Sequence, residues 1–209
     1  MARACFFDMD GTVIDSRADL AATVNHTRRD LGLDERPEDE ILSFVGHGAK
    51  RLLADAIPEA KDDSLLERFL SHYAEHMLEH VTLYPGVRRT LETLRARGWL
   101  LGVNTAKPAF AVKAILDKFG LAELFGAGVV AGGDCPEMKP SALPLRQCAD
   151  RLGHVLSADD WMVGDNWTDI ACAQNAGVKS TFCAFGFGKV LSTEPTVTIA
   201  RFDALLDIL

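Results

Sequence analysis

The chain has 209 residues, 48% of them hydrophobic and 25% charged, which is ordinary for a soluble globular protein of one or two domains. Its net charge of −8 argues against a nucleic-acid partner, and an anionic substrate would need local positive charge from a metal or placed lysines. No apolar run reaches the roughly 20 residues of a membrane span, no signal peptide is visible, and Cys5, Cys135, Cys148, Cys172 and Cys183 form no C-x-x-C pair, so a cytoplasmic protein with reduced thiols is expected.

Ala4 to Phe7 is a short apolar run that reads as a strand buried on both faces. It stops at Asp8-Met9-Asp10-Gly11-Thr12, two carboxylates one residue apart at the end of a strand. On extended backbone Asp8 and Asp10 point the same way and converge, so a cation or a proton must lie between them. A hairpin at Asp10-Gly11 would need a second strand directly afterwards, whereas Asp15 to Asp19 reads as a helix opening.

From Ser16 to Leu83 the periodicity is helical, with no convincing strand. Leu20, Val24, Thr27 and Leu31 share one face of a first helix, which Gly32 ends. Ile41, Leu42 and Val45 suggest a short second helix closed by Gly46-His47-Gly48. Leu52, Leu53, Ala56 and Ile57 carry a third, stopped by Pro58, and Leu66, Phe69, Leu70, Tyr73 and Met77 trace a longer fourth. The block is too long for a loop, so residues 16–83 are expected to form a helical domain inserted between residues 1–15 and 84–209.

After Leu83 strand and helix alternate. Strands are expected at 99–104, 128–131, 161–163 and 180–184, and helices at 87–97, 110–119, 141–152, 169–176 and 202–209. Repeated βα units give an α/β class: a Rossmann-like three-layer core with a parallel sheet, plus the small inserted helical domain.

Four sites then share one sheet edge: Asp8 and Asp10, then Asn104 to Lys107, then Lys139, then Asp165 with Asp169. Asp8, Asp10 and Asp165 are hard oxygen ligands suited to Mg2+, and no Cys/His cluster accompanies them to favour zinc. Thr105, and Thr12 as well, offer a hydroxyl and backbone N–H groups to phosphate oxygens, and Lys139 offers a fixed positive charge. Phosphoryl transfer requires an in-line nucleophile, a metal on the phosphate and a cation on the developing charge. A carboxylate can act as nucleophile through an aspartyl-phosphate, and Asp10 can protonate the leaving oxygen and later activate water.

Asp8-Met9-Asp10-Gly11-Thr12, Thr105, Lys139-Pro140 and Gly164-Asp165-Asn166-Trp167-Thr168-Asp169 resemble, in order, the four motifs of the haloacid dehalogenase superfamily. The likeness covers the whole chain, including the helical insertion, which resembles that superfamily's cap. Within the superfamily the chain is most similar to phosphoglycolate phosphatases, through Val45 to Gly48, Tyr84-Pro85-Gly86-Val87, Lys107-Pro108 and Gly186-Phe187-Gly188. The resemblance implies that Asp8 is the nucleophile and Asp10 the acid/base. It implies that Asp8, the Asp10 carbonyl and Asp165 hold Mg2+ with Asp169 in support, and that Thr105 and Lys139 bind the phosphoryl group. Two departures stand out. Ala106 replaces the Asn that usually follows the second-motif Thr, leaving only its backbone N–H for phosphate, and Lys139-Pro140-Ser141-Ala142 replaces Lys-Pro-x-Pro.

The expected substrate is a small phosphorylated metabolite, 2-phosphoglycolate first; monomer and homodimer stay open. In the cap, His47 with Lys50 and Arg51 could read a substrate carboxylate. His72, His76 and His80 repeat every four residues on one helix face, which suits either a metal site or a solvated surface, and the alternation with Glu75 and Glu79 favours the solvated surface. The rival enzyme is a phosphomutase on the same scaffold, and the rival of another class a catalytically idle protein-binding module, whose mark would be loss of Asp8, Asp10, Lys139 or Asp165.

Overall fold

The computed structural model of the protein describes residues 2–46, 48–60 and 64–209. In chain order its first half comprises β1 (Ala4–Phe7), β2 (Ile14–Asp15), α1 (Arg17–Asp30), α2 (Glu38–Leu42), α3 (Ala49–Ala56), α4 (Leu65–His76) and β3 (Thr82–Leu83). There follow α5 (Val87–Ala96), β4 (Leu100–Pro108), α6 (Ala109–Lys118), α7 (Ala122–Phe125), β5 (Val129–Gly132), α8 (Leu143–Arg151), β6 (Trp161–Gly164), α9 (Trp167–Ala176), β7 (Lys179–Cys183) and β8 (Val197–Ile199).

β1 lies inside a six-stranded sheet of order β5-β4-β1-β6-β7-β8 in which every pairing is parallel. Its side chains alternate between two apolar layers. Cys5 and Phe7 join Leu91, Val103, Phe125 and Phe202 on one face; Ala4 and Phe6 join Val130, Leu145, Cys148 and Met162 on the other. Burial on both faces is why the run has no polar position. The chain adds β4 and β5 on one side of β1, then crosses to add β6, β7 and β8 on the other. The crevice for a ligand in such a sheet lies where the order reverses, at the strands' C-terminal ends beside β1.

The helices α1 to α4 have their own apolar cluster, built from Leu20, Val24, Ile41, Leu52, Ile57, Phe69 and Tyr73, with Ala111 of α6 joining it. Their apolar residues recur at three- and four-residue spacing, as an amphipathic helix requires.

Several elements differ from expectation, among them the four-residue α7, too short to show a period. The segment read as wholly helical ends in a strand: Thr82 and Leu83 pair antiparallel with Asp15 and Ile14, each strand too short to show a period. β8 went unread because it is a three-residue edge strand with Thr198 facing out. The last helix is a 3-10 turn over Phe202–Asp207 in which Phe202 and Leu205, three apart, are buried, the period of that tighter helix.

Candidate active site

Asp8 stands at the first position past β1, its amide still donating to the Val163 carbonyl of β6 at 2.9 Å. The Met9 amide donates back to Asp8 Oδ1 at 2.7 Å and fixes the carboxylate. Lys139, from the loop after β5, reaches it from below with a side chain only 3% exposed. The three donors of that ammonium meet three acceptors: Asp169 Oδ1 at 2.6 Å, the Asn104 carbonyl at 2.9 Å and Asp8 Oδ1 at 3.0 Å. Burial alone would depress the Lys139 pKa, but Asp169 and Asp8 outweigh it and hold it above the ordinary lysine range.

Asp169 also closes the N-terminus of α9. Its Oδ2 accepts from the Asn166 amide at 3.0 Å, while Asn166 Oδ1 accepts from the Thr168 amide at 3.3 Å, a reciprocal cap that locks the rotamer facing Lys139. Asp165, past the end of β6, accepts at Oδ2 from the amides of Phe187 (3.0 Å) and Gly188 (2.7 Å). It is fenced by glycine backbone: a Cβ on Gly11, where φ is +75°, would lie 2.0 Å from Asp165 Oδ2, and one on Gly186 2.3 Å from Asp165 Cβ. Only glycine permits so close an approach at both places.

One carboxylate oxygen each from Asp8, Asp165 and Asp169 lies within 4.8 Å of the other two. Burial, then the charges of Asp169 and Asp8, raises the Asp165 pKa well above the carboxylate range. Burial likewise pushes Asp169 up to about 6 against the pull of Lys139, with Asp8 adding to the rise. A divalent cation relieves that crowding, and the donors are hard oxygens without a His or Cys among them. The set therefore fits Mg2+ and not zinc. The Asp10 carboxylate is outside this trio, which leaves its backbone carbonyl as the atom the family resemblance assigns to the metal.

Asp10 is held differently. Its Oδ1 accepts from Ser16 Oγ at 2.5 Å and from Lys107 Nζ at 2.7 Å, and the same ammonium donates to the Tyr73 hydroxyl of α4. The Lys107 side chain is 1% exposed, yet sequence reasoning gave it no role at the site. A signal existed: Thr105 and Lys107 stand two apart on a strand that runs on to Pro108, so period two puts them on one face, as with Asp8 and Asp10.

A cleft of about 630 Å3, counted out to its mouth, lies over this edge. Asp8, Asp10, Thr105, Ala106, Lys107 and Asp165 line it from the sheet side, and Leu20, Gly46, Leu52, Phe69 and Tyr73 from the helical side. The two sides touch at Gly46, where φ is +120° and a Cβ would come within 2.6 Å of Asn166 Nδ2. Lys139 supports the cleft from beneath, through Asp8.

The other expected site residues fall elsewhere. Thr12 is fully buried and does not line the cleft, because the turn that wraps the Met9 carbonyl carries its hydroxyl into the core. Lys50 and Arg51 are exposed and off the cleft lining; the apolar side of α3, with Leu52 and Leu53, packs inward, and Arg51 Nε pairs with Asp55 at 2.7 Å. His47 lies outside the described residues. His80 lies beyond the end of α4, off the face shared by His72 and His76, and its ring nitrogen meets Asp19 at 3.0 Å.

Comparison with known proteins agrees with this geometry. Residues 5–183 match the family model described as haloacid dehalogenase-like hydrolase. The chain is 35% identical over 215 residues to the phosphoglycolate phosphatase of Chromobacterium violaceum, covering 99% of this chain and 96% of that one. It is 37% identical over 218 residues to that of Rhodospirillum rubrum, with 97% and 88% covered. The crystal structure of a phosphoglycolate phosphatase predicted in Haemophilus somnus superposes with a TM-score of 0.92 at 29% identity, over 99% of this chain and 97% of that one. Family match, full-length relatives and superposition agree on one assignment: the chain belongs to the haloacid dehalogenase-like hydrolase family.

Proposed function

We propose that the protein is a Mg2+-dependent phosphatase that hydrolyses small organic phosphate monoesters, 2-phosphoglycolate first among them, through an aspartyl-phosphate on Asp8. The observation that carries this reading is the setting of Asp8, on the floor of a cleft with the Lys139 ammonium at 3.0 Å and the Asp165 and Asp169 carboxylates close by. The names of the full-length relatives support the substrate.

Asp8, Asp165 and the Asp10 carbonyl would hold the metal, with Asp169 behind them. When bound, Mg2+ supplies positive charge to the phosphoryl oxygens and screens them from the carboxylates. The protein's own groups do the rest. Asp8 attacks phosphorus in line and forms an acyl phosphate, while Asp10 gives its proton to the leaving alkoxide. Asp10 then takes a proton from water, which attacks the acyl phosphate and frees Asp8 and inorganic phosphate. Ser16 and Lys107 both hold Oδ1 of Asp10, which fixes the rotation of the carboxyl. Lys139 opposes the charge that grows on the phosphoryl oxygens, and Thr105 with the Ala106 amide faces them from β4.

The helical segment acts as a cap. Its apolar wall of Leu20, Leu52 and Phe69 excludes water from the acyl phosphate when the cleft is closed. The free thiols, four of five buried, support a reducing, cytoplasmic setting. The reading is tested by phosphate release from a panel of phosphorylated metabolites, with and without Mg2+, compared by kcat/KM. It expects Mg2+-dependent release of free phosphate with 2-phosphoglycolate leading; a rearranged sugar phosphate, or no turnover of any member, overturns it.

A further inference from the structure

The interface of α1 and α4 carries a second group of ligating side chains, separate from the cleft. His26 and Asp30 stand one turn apart on α1, and His72 and His76 one turn apart on α4. The helices run antiparallel, since Asp30 meets His72 while Asp19, earlier on α1, meets His80 beyond the end of α4. The two pairs therefore face each other. His72 Nε2 lies 2.6 Å from Asp30 Oδ2, and His26 Nε2 lies 4.0 Å from Asp30 Oδ1. The His26 and His72 rings stack with centroids 4.1 Å apart. The His76 ring is 6.0 Å from that of His26, and its Nδ1 is 2.7 Å from Glu79 Oε1.

We propose that His26, Asp30 and His72 form a site for a divalent transition ion such as Zn2+ or Ni2+, with His76 beside it. One ligand atom from each of the three lies within 4.8 Å of the other two. Metal–nitrogen bonds of about 2.0–2.1 Å place neighbouring ligand atoms roughly 3.3 Å apart, so side-chain rotations that change their separations by no more than about 1.5 Å close the site. Two imidazoles and a carboxylate suit borderline ions and not Mg2+, the opposite preference to the all-oxygen cluster under the cleft. The rings are half-buried and Asp30 is exposed, so an ion has a way in, and it replaces the proton between His72 and Asp30. The hydrogen bond from His76 to Glu79 is the kind of carboxylate contact that orients a ligating imidazole. The alternation of His72 and His76 with Glu75 suggests a solvated face because the partner histidine comes from another helix. A bound ion clips α1 to α4, the helices that bring Leu20, Phe69 and Tyr73 to the cleft. The inference does not depend on the phosphatase reading.

The test is calorimetric titration of chelator-stripped full-length protein with Zn2+, with Mg2+ in large excess to occupy the carboxylate cluster. The wild type is expected to bind one equivalent of Zn2+ and to melt at a higher temperature with it. His26→Gln and His72→Gln should each weaken that binding by about tenfold or more and abolish the melting shift, while Mg2+-supported hydrolysis is unchanged. If one variant fails to fold, the other together with Asp30→Asn decides. Absence of Zn2+ uptake by the wild type, or equal affinity and stoichiometry in wild type and variants, overturns the proposal.

Discussion

Lys107 Nζ bridges the sheet edge to the helical segment: it donates to Asp10 Oδ1 at 2.7 Å and to the Tyr73 hydroxyl. Burial would favour the neutral amine, but Asp10 and Tyr73 hold its pKa above that of an ordinary lysine. The cation thus persists at neutral pH and orients the proposed acid. Lys107→Met should lower kcat about 100-fold, the order of a lost acid–base contribution. Lys107→Arg should restore little, because a planar fork does not fit where a point charge sits. Tyr73→Phe keeps the ring and removes one partner of a buried charge, so it should cost about 1.5–3 kcal/mol of stability in urea denaturation. Unchanged kcat in Lys107→Met would show that Asp10 is oriented without it.

Asp8→Asn is nearly isosteric, and its amide oxygen can still accept from the Met9 amide and Lys139. The circular dichroism spectrum and melting profile should therefore stay close to wild type while phosphate release disappears. Turnover above background in the purified variant would remove Asp8 as nucleophile.

Lys139→Ala removes the charge proposed to oppose the phosphoryl group and also the partner of fully buried Asp169. Loss of such a contact lowers kcat by roughly 100- to 1000-fold. Stranding a buried carboxylate costs about 3–5 kcal/mol, so the melting temperature should fall with it. A rate within a few-fold of wild type would place Lys139 outside the chemistry.

Mg2+ should stabilise the protein in a pH-dependent way. Asp165 and Asp169 have folded pKa values raised by burial, Asp169 to about 6, so the metal-free native state binds more protons than the unfolded chain. For Asp169 that contribution is present at low pH and is lost as pH rises from about 4 through about 6; for Asp165 it is lost as pH rises through its own raised pKa. Mg2+ takes the deprotonated carboxylates and compensates for the loss. The rise in melting temperature on adding Mg2+ should be several degrees at pH 7.5 and small at pH 5. An equal rise at both would exclude these carboxylates as the site.

The parts that were legible in the sequence carry their own short-range signal. An apolar run cut off by Asp8, and Gly164-Asp165 after Trp161 to Val163, mark strand ends; parallel connection then brings those ends to one edge, where Lys139 joins them. The roles of Lys107 and Tyr73 depend on a contact between β4 and α4, and no local pattern reports a partner 34 residues away. Lys50 and Arg51 show the converse limit of local pattern. Two cations beside a glycine loop suggested anion recognition, yet α3 turns its apolar side to the cluster and leaves them in solvent. Thr12 is similar: its motif position is right, but the turn directs the hydroxyl inward.

The pairing of Ile14 with Leu83 and of Asp15 with Thr82 has an architectural consequence. The segment between them leaves and rejoins the sheet domain across one strand spacing, about 4.8 Å. Its ends are already adjacent, so exchanging it for an insert of another size changes the loop-closure entropy only logarithmically with length. Closure is therefore tolerant of size, but Ser16 and Tyr73 lie inside the segment and hold Asp10 and Lys107, so any replacement must supply those two contacts again. Such a junction sets where the insert begins and ends, while its contacts with the sheet edge decide whether the exchange works.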